Sequence, residues 1–79
     1  MKSIEVYTKD KCPYCDRAKA LLKANGEEYK TVDVTDNESA LKEMIERSSN
    51  RTVPQIFIDG RSVGGYTELA HLYSFSNKQ

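Results

Sequence analysis

Ser3-Ile4-Glu5-Val6-Tyr7-Thr8-Lys9-Asp10-Lys11-Cys12-Pro13-Tyr14-Cys15, residues 3–15, holds both the start of the fold and the only two cysteines of the 79-residue chain. Ser3 to Thr8 alternates, with Ile4 and Val6 on one face, and reads as a strand. Lys9 to Lys11 is a polar loop. Pro13 suits the first turn of a helix, where its missing N–H costs nothing. From Pro13 to about Asn25, the positions Tyr14, Ala18, Leu21, Leu22 and Asn25 follow helical spacing, with Asp16, Arg17, Lys19 and Lys23 largely opposite. Asn25-Gly26 stops the helix.

The cysteine spacing gives the pair a chemistry. With a helix starting near Cys12, Cys15 lies one turn on and on the same face. The Cα atoms then stand roughly 5–6 Å apart, inside the range a disulfide spans, so the bond can form and break with little backbone movement. The two sulfurs are not equivalent. Cys12 lies among unpaired N–H groups at the positive end of the helix dipole. Both favour thiolate and lower the Cys12 pKa below the ~8.5 of free cysteine. Lys9 and Lys11 act the same way, partly opposed by Asp10 and Asp16. Cys15, inside the helix, is expected to keep its proton. Cys12 is therefore the expected attacking thiol and Cys15 the resolving one.

Other uses of the pair fit less well. Tetrahedral zinc takes four N/S ligands, and only His71 is left to join the cysteines; no metal is expected. A disulfide closing so short a loop removes little unfolded-state entropy. The start Met-Lys-Ser-Ile-Glu-Val-Tyr lacks the apolar core of a secretory signal, so a reducing, cytoplasmic location is expected. Lys plus Arg and Asp plus Glu both number 12, giving zero net charge. That balance points away from nucleic acid and acidic membranes as partners, and no apolar run approaches a transmembrane length.

The remaining chain supplies alternating elements. Glu28 to Val34 reads as a second strand. Thr35-Asp36-Asn37-Glu38 resembles a capping box that opens a helix with the apolar stripe Leu41, Met44 and Ile45, and Ser48 in phase. Ser48 to Arg51 is a loop. Gln55 to Ile58 is a third strand, and Asp59-Gly60 signals a tight hairpin into Arg61-Ser62-Val63. Gly64-Gly65 breaks the chain before a short helix from Thr67 to about Ser74, using Leu69, Leu72 and Tyr73. The order is β-α-β-α-β-β-α: one α/β domain over residues 1–79, with a four-stranded mixed sheet flanked by helices. The first β-α-β unit requires a right-handed crossover and a parallel pair. Cys12 falls beyond the carboxyl end of the first strand, where open α/β sheets place their sites.

At this point the chain resembles a dithiol glutaredoxin of the thioredoxin fold. The resemblance rests on Tyr7-Thr8-Lys9 with Cys12-Pro13-Tyr14-Cys15, on Arg51-Thr52-Val53-Pro54-Gln55-Ile56-Phe57-Ile58, and on Gly64-Gly65-Tyr66-Thr67-Glu68-Leu69. It implies a glutathione-dependent thiol–disulfide oxidoreductase with glutathione as co-substrate. In such proteins the proline at position 54 is cis and faces the active-site disulfide, leaving the Val53 backbone beside Cys12 to pair with a peptide-like ligand. By the same resemblance, Val53 holds the cysteinyl backbone of glutathione, with Pro54 beside it. Lys9 and Arg51 meet its glycyl carboxylate, and Tyr14 and Thr52 line the groove. Gly65, Tyr66, Thr67 and Glu68 hold the γ-glutamyl end, where helix N–H groups suit a carboxylate.

The chain departs from the family pattern at two places. Glu68 stands where Asp is usual. Leu41 stands where many members carry Gln or Arg toward the glycyl carboxylate, with Lys42 and Arg47 as alternative cations. The implied partners are glutathionylated or disulfide-bonded proteins, ribonucleotide reductase among the family's examples, and indirectly glutathione reductase. A monomer is expected. Two other readings stay open: a redoxin recycled by thioredoxin reductase, and a carrier of an iron–sulfur cluster ligated by Cys12 of two chains and two glutathiones. The second goes mainly with Cys-Gly-Phe-Ser, and Pro13-Tyr14 makes a stiffer, bulkier loop.

Overall fold

A computed structural model describes residues 2–76. The elements are β1 (Ile4–Thr8), α1 (Pro13–Ala24), β2 (Lys30–Asp33), α2 (Glu38–Ser48), β3 (Gln55–Ile58), β4 (Arg61–Gly64) and α3 (Tyr66–Ser76). They form one four-stranded sheet in the order β2-β1-β3-β4. β1 pairs in parallel with β2 and antiparallel with β3, and β3 pairs antiparallel with β4. The expected element order and mixed sheet are both present.

Alternation along β1 and β3 divides the core between the two faces of the sheet. Ile4, Val6 and Ile56 pack with Ala18 and Leu22 of α1 and Leu69 and Tyr73 of α3. Tyr7 and Phe57 point the other way and pack with Val34 and with Ala40 and Met44 of α2. Two helices thus cover one face and one covers the other. Arg47 ties α2 to its face: it donates to Tyr7 Oη at 2.8 Å and Glu5 Oε1 at 3.0 Å, and lies 4.0 Å from the Phe57 ring centre. Burial raises the Tyr7 phenol pKa above its ordinary value, and the Arg47 hydrogen bond only partly opposes this.

Several local expectations shift. β2 is shorter than residues 28–34, and α3 starts at Tyr66 and runs to Ser76. Tyr14 is 53 % exposed and Leu72 is exposed too, so neither belongs to the core. The inward stripe of α1 is Cys15, Ala18 and Leu22, one residue round from the stripe that Tyr14 begins. The start of α2 is not a capping box. Asn37 caps it, its side chain accepting from Ala40 N–H at 3.1 Å. Thr35 serves elsewhere: its Oγ1 accepts from Asp10 N–H at 2.9 Å, which fastens the loop before Cys12 to the end of β2. The Asp59-Gly60 hairpin is as expected, with φ of 53° and 83°, the double positive that a type I′ turn needs.

Candidate active site

β1 ends at Thr8, and the loop to α1 turns at Lys11, which takes a left-handed φ of 55°. The next residue, Cys12, is the N-cap of α1. Its carbonyl accepts the first helical bond from Asp16 N–H at 3.2 Å. Its sulfur does what a serine or aspartate oxygen usually does at a cap, accepting from Cys15 N–H at 3.2 Å. A thiolate accepts such a bond more strongly than a neutral sulfur, so the cap favours the ionised form of Cys12.

The two cysteines form a disulfide, with Cα atoms 5.2 Å apart. Cys15 is 1 % exposed and Cys12 is half-buried, so an incoming group reaches Cys12 first. Opposite Cys12 runs Thr52-Val53-Pro54, with a cis Val53–Pro54 peptide. The Val53 carbonyl oxygen lies 3.8 Å from Cys12 Sγ.

A shallow groove of about 200 Å³ adjoins this point. One wall is Thr52, Val53 and Pro54; the other is Gly65, Tyr66, Thr67 and Glu68, with Tyr14 at the cysteine end. Tyr14 is held against Tyr66, ring centres 5.8 Å apart, and Arg17 lies 4.9 Å from its ring. The groove is smaller than the ~300–1,000 Å³ of enclosing ligand pockets and suits an extended peptide laid along a surface. Lys9 and Arg51 are exposed and are not among its walls. Arg51 instead borders a second cavity, of about 560 Å³, with Leu41, Ile45 and Lys42 of α2. Of the two cations considered in place of a polar residue at Leu41, Arg47 is bound to Glu5 and Tyr7, whereas Lys42 stands in the same cavity as Arg51.

The Gly65–Glu68 wall of the groove has a feature the sequence reading missed. Gly65 is the N-cap of α3, its carbonyl accepting from Leu69 N–H at 3.0 Å. Glu68, three residues on, turns back so that Oε1 accepts from Gly65 N–H at 2.8 Å. This is the acidic half of a capping box, and the spacing Gly65-x-x-Glu68 could have signalled it. Two groups expected to meet a ligand separately are therefore engaged with each other. The side chain also lies over Gly64, where a Cβ would stand 2.9 Å from Glu68 Cγ.

A profile of the glutaredoxin family matches residues 4–63. The chain belongs to the glutaredoxin family. Glutaredoxin 3 of Escherichia coli K12 is 48 % identical over 69 residues, covering 87 % of this chain and 83 % of that protein. A glutaredoxin of Neisseria meningitidis serogroup A is 42 % identical over 73 residues, covering 91 % and 86 %. Among solved structures, a buckwheat glutaredoxin–glutathione complex superposes with a TM-score of 0.85 at 27 % identity, covering 95 % of this chain and 71 % of that one. The solution structure of glutaredoxin from Brucella melitensis gives 0.80 at 42 % identity, covering 92 % and 79 %. With its cysteine pair, this glutaredoxin is a glutathione-dependent dithiol oxidoreductase.

Proposed function

We propose that Cys12 carries the covalent chemistry and that the groove beside it receives the glutathionyl group. The observation that carries the assignment is the sulfur cap: Cys12 Sγ accepts the Cys15 N–H at the start of α1, while Cys15 is buried behind it. With a glutathionylated protein, Cys12 thiolate attacks the glutathione sulfur and the protein leaves as its thiol. A second glutathione thiolate attacks the Cys12 adduct, releasing oxidised glutathione and restoring Cys12. With a protein disulfide, Cys12 forms a mixed disulfide and Cys15, once deprotonated, displaces the protein thiol. The resulting Cys12–Cys15 bond is reduced by two glutathiones.

In this reading the glutathione cysteinyl backbone pairs with Val53, whose carbonyl faces Cys12. The γ-glutamyl carboxylate approaches Gly65 N–H and displaces Glu68, which is then free to meet the ligand ammonium. The glycyl carboxylate extends beyond the groove past Thr52 toward Arg51, which borders the neighbouring cavity with Lys42, and Lys9 is a further cation outside the groove walls. A monomeric, cytoplasmic protein acting on protein disulfides, of which ribonucleotide reductase is one instance, completes the proposal.

Turnover of a glutathionylated peptide with glutathione, glutathione reductase and NADPH tests it. The expected result is Cys12-dependent NADPH oxidation. No turnover there, together with turnover by thioredoxin reductase, would replace the reading with that of a redoxin served by the second enzyme.

A further inference from the structure

The sheet interior holds a polar side chain that the chemistry above does not use. Gln55 opens β3 and is 2 % exposed; it and Thr8 are the buried polar residues among those described. Its Nε2 donates to the Thr52 carbonyl oxygen at 2.9 Å and lies 3.2 Å from Thr52 Oγ1. A carbonyl only accepts, so the amide nitrogen must face it and the orientation of the side chain is settled. Oε1 is left buried, with no hydrogen-bond partner among the described residues. A buried acceptor without a donor destabilises the fold, and an apolar side chain of the same shape does not. Packing alone is therefore served worse by glutamine here than by methionine. What glutamine adds is its grip on Thr52.

Thr52 is exposed and belongs to neither core cluster, so the bond does not serve to fix a core residue. The bond closes residues 52–55 on themselves instead. That short stretch is a wall of the groove and carries the Val53 carbonyl that faces Cys12. We propose that Gln55 is a positioning residue, which holds Thr52-Val53 in the conformation the ligand backbone meets, at the expense of an unpaired buried oxygen. A wall ordered in advance leaves less conformational entropy to be lost on binding. The inference rests on the glutathione reading for its kinetic consequence, but not for its effect on the wall itself.

Gln55→Met in the full chain tests it by three measurements. The thermal midpoint is expected to stay at or above that of the parent. The backbone order parameters of Thr52 and Val53 in the reduced protein are expected to fall. KM for a glutathionylated peptide is expected to rise about 2- to 10-fold, the equivalent of one backbone-anchoring hydrogen bond, with kcat within about twofold. Parental order parameters and KM would overturn the proposal. So would a lower midpoint, or failure to fold, since either makes Gln55 structural. If the parent itself fails to turn over with glutathione, the glutathione reading falls and the order parameters alone decide for or against Gln55. Gln55→Glu supplies a second readout. Only its protonated carboxyl can donate to Thr52, so its activity relative to the parent at the same pH should rise as pH falls; a flat ratio would overturn the assignment.

Discussion

Replacing Glu68 by Ala separates two roles of one carboxylate. In the free protein Oε1 accepts the Gly65 N–H at 2.8 Å at the start of α3. Losing that bond at an exposed site costs about 0.5–1 kcal/mol. Losing a negative charge in the first helical turn adds about 0.3–1 kcal/mol. Rehydration of Gly65 N–H returns part of this, so a net loss of about 1 kcal/mol is expected, or a midpoint lowered by about 4–8 °C in a domain of this size. The effect on ligands runs the other way. Without Glu68 the Gly65 N–H is open to a ligand carboxylate, and the charge that repels this carboxylate is gone. Glutathione also loses a partner for its ammonium, an exposed pair worth about 0.2–1 kcal/mol, so gain and loss nearly cancel. An analogue in which glutaryl replaces γ-glutamyl keeps the carboxylate but lacks the ammonium, and has nothing to lose. The rate constants for reduced enzyme attacking peptides that carry the glutathionyl or the glutaryl-cysteinyl-glycyl group should therefore shift in ratio. A shift of about 1.4- to 5-fold in favour of the analogue is expected, equivalent to about 0.2–1 kcal/mol. Mass spectrometry of the released peptide follows both reactions. An unchanged ratio would refute the pairing of Glu68 with the ligand ammonium, no gain in rate for the analogue would refute the competition for Gly65 N–H, and an unchanged midpoint would refute the cap.

Cys12→Ser should abolish all thiol exchange, whereas Cys15→Ser should still remove glutathione from peptides and lose only the reduction of protein disulfides; equal loss in both would contradict the unequal placement of the two sulfurs. Gly64→Ala should destabilise by about 1–3 kcal/mol in urea unfolding, because Gly64 has φ of 117° and a Cβ there meets Glu68. Part of that loss should disappear in a Glu68→Ala background, and full additivity would show that only the backbone angle matters. Burial, then the nearby Glu27 carboxylate, pushes the Tyr73 phenol up to about 12. The unfolded chain releases that proton near 10, so the Tyr73 contribution is whole below ~10 and falls as pH rises toward 12. Urea midpoints of parent and Tyr73→Phe across that interval should converge, and parallel curves would refute the assignment.

The elements read most directly from the sequence are those whose local pattern and tertiary role agree. Alternation in β1 puts Ile4 and Val6 on one face and Tyr7 on the other, and both faces are in fact covered, by α1 with α3 and by α2. Asp59-Gly60 supplies both positive φ angles that its hairpin requires. The misreadings come where a residue has two suitors. Thr35 fits the first position of a capping box, but its hydroxyl holds Asp10 N–H, and Asn37 caps the helix. Tyr14 fits the helical stripe, but Cys15, Ala18 and Leu22 define the buried line, and Tyr14 leans on Tyr66 at the groove instead. In the site, Cys-x-x-Cys shows that a disulfide is possible and which sulfur lies at the helix start. It does not show that the sulfur itself caps the helix, because that depends on the turn at Lys11. The groove is assembled from segments at 14, 52–54 and 65–68, whose meeting is set by the order of strands in the sheet. The hydrogen bonds that shape its walls, Gln55 to Thr52 and Glu68 to Gly65, each span only three residues. Such short-range pairs lie within reach of a sequence reading; that both belong to the walls of one groove does not, because the strand order of the sheet brings their segments together.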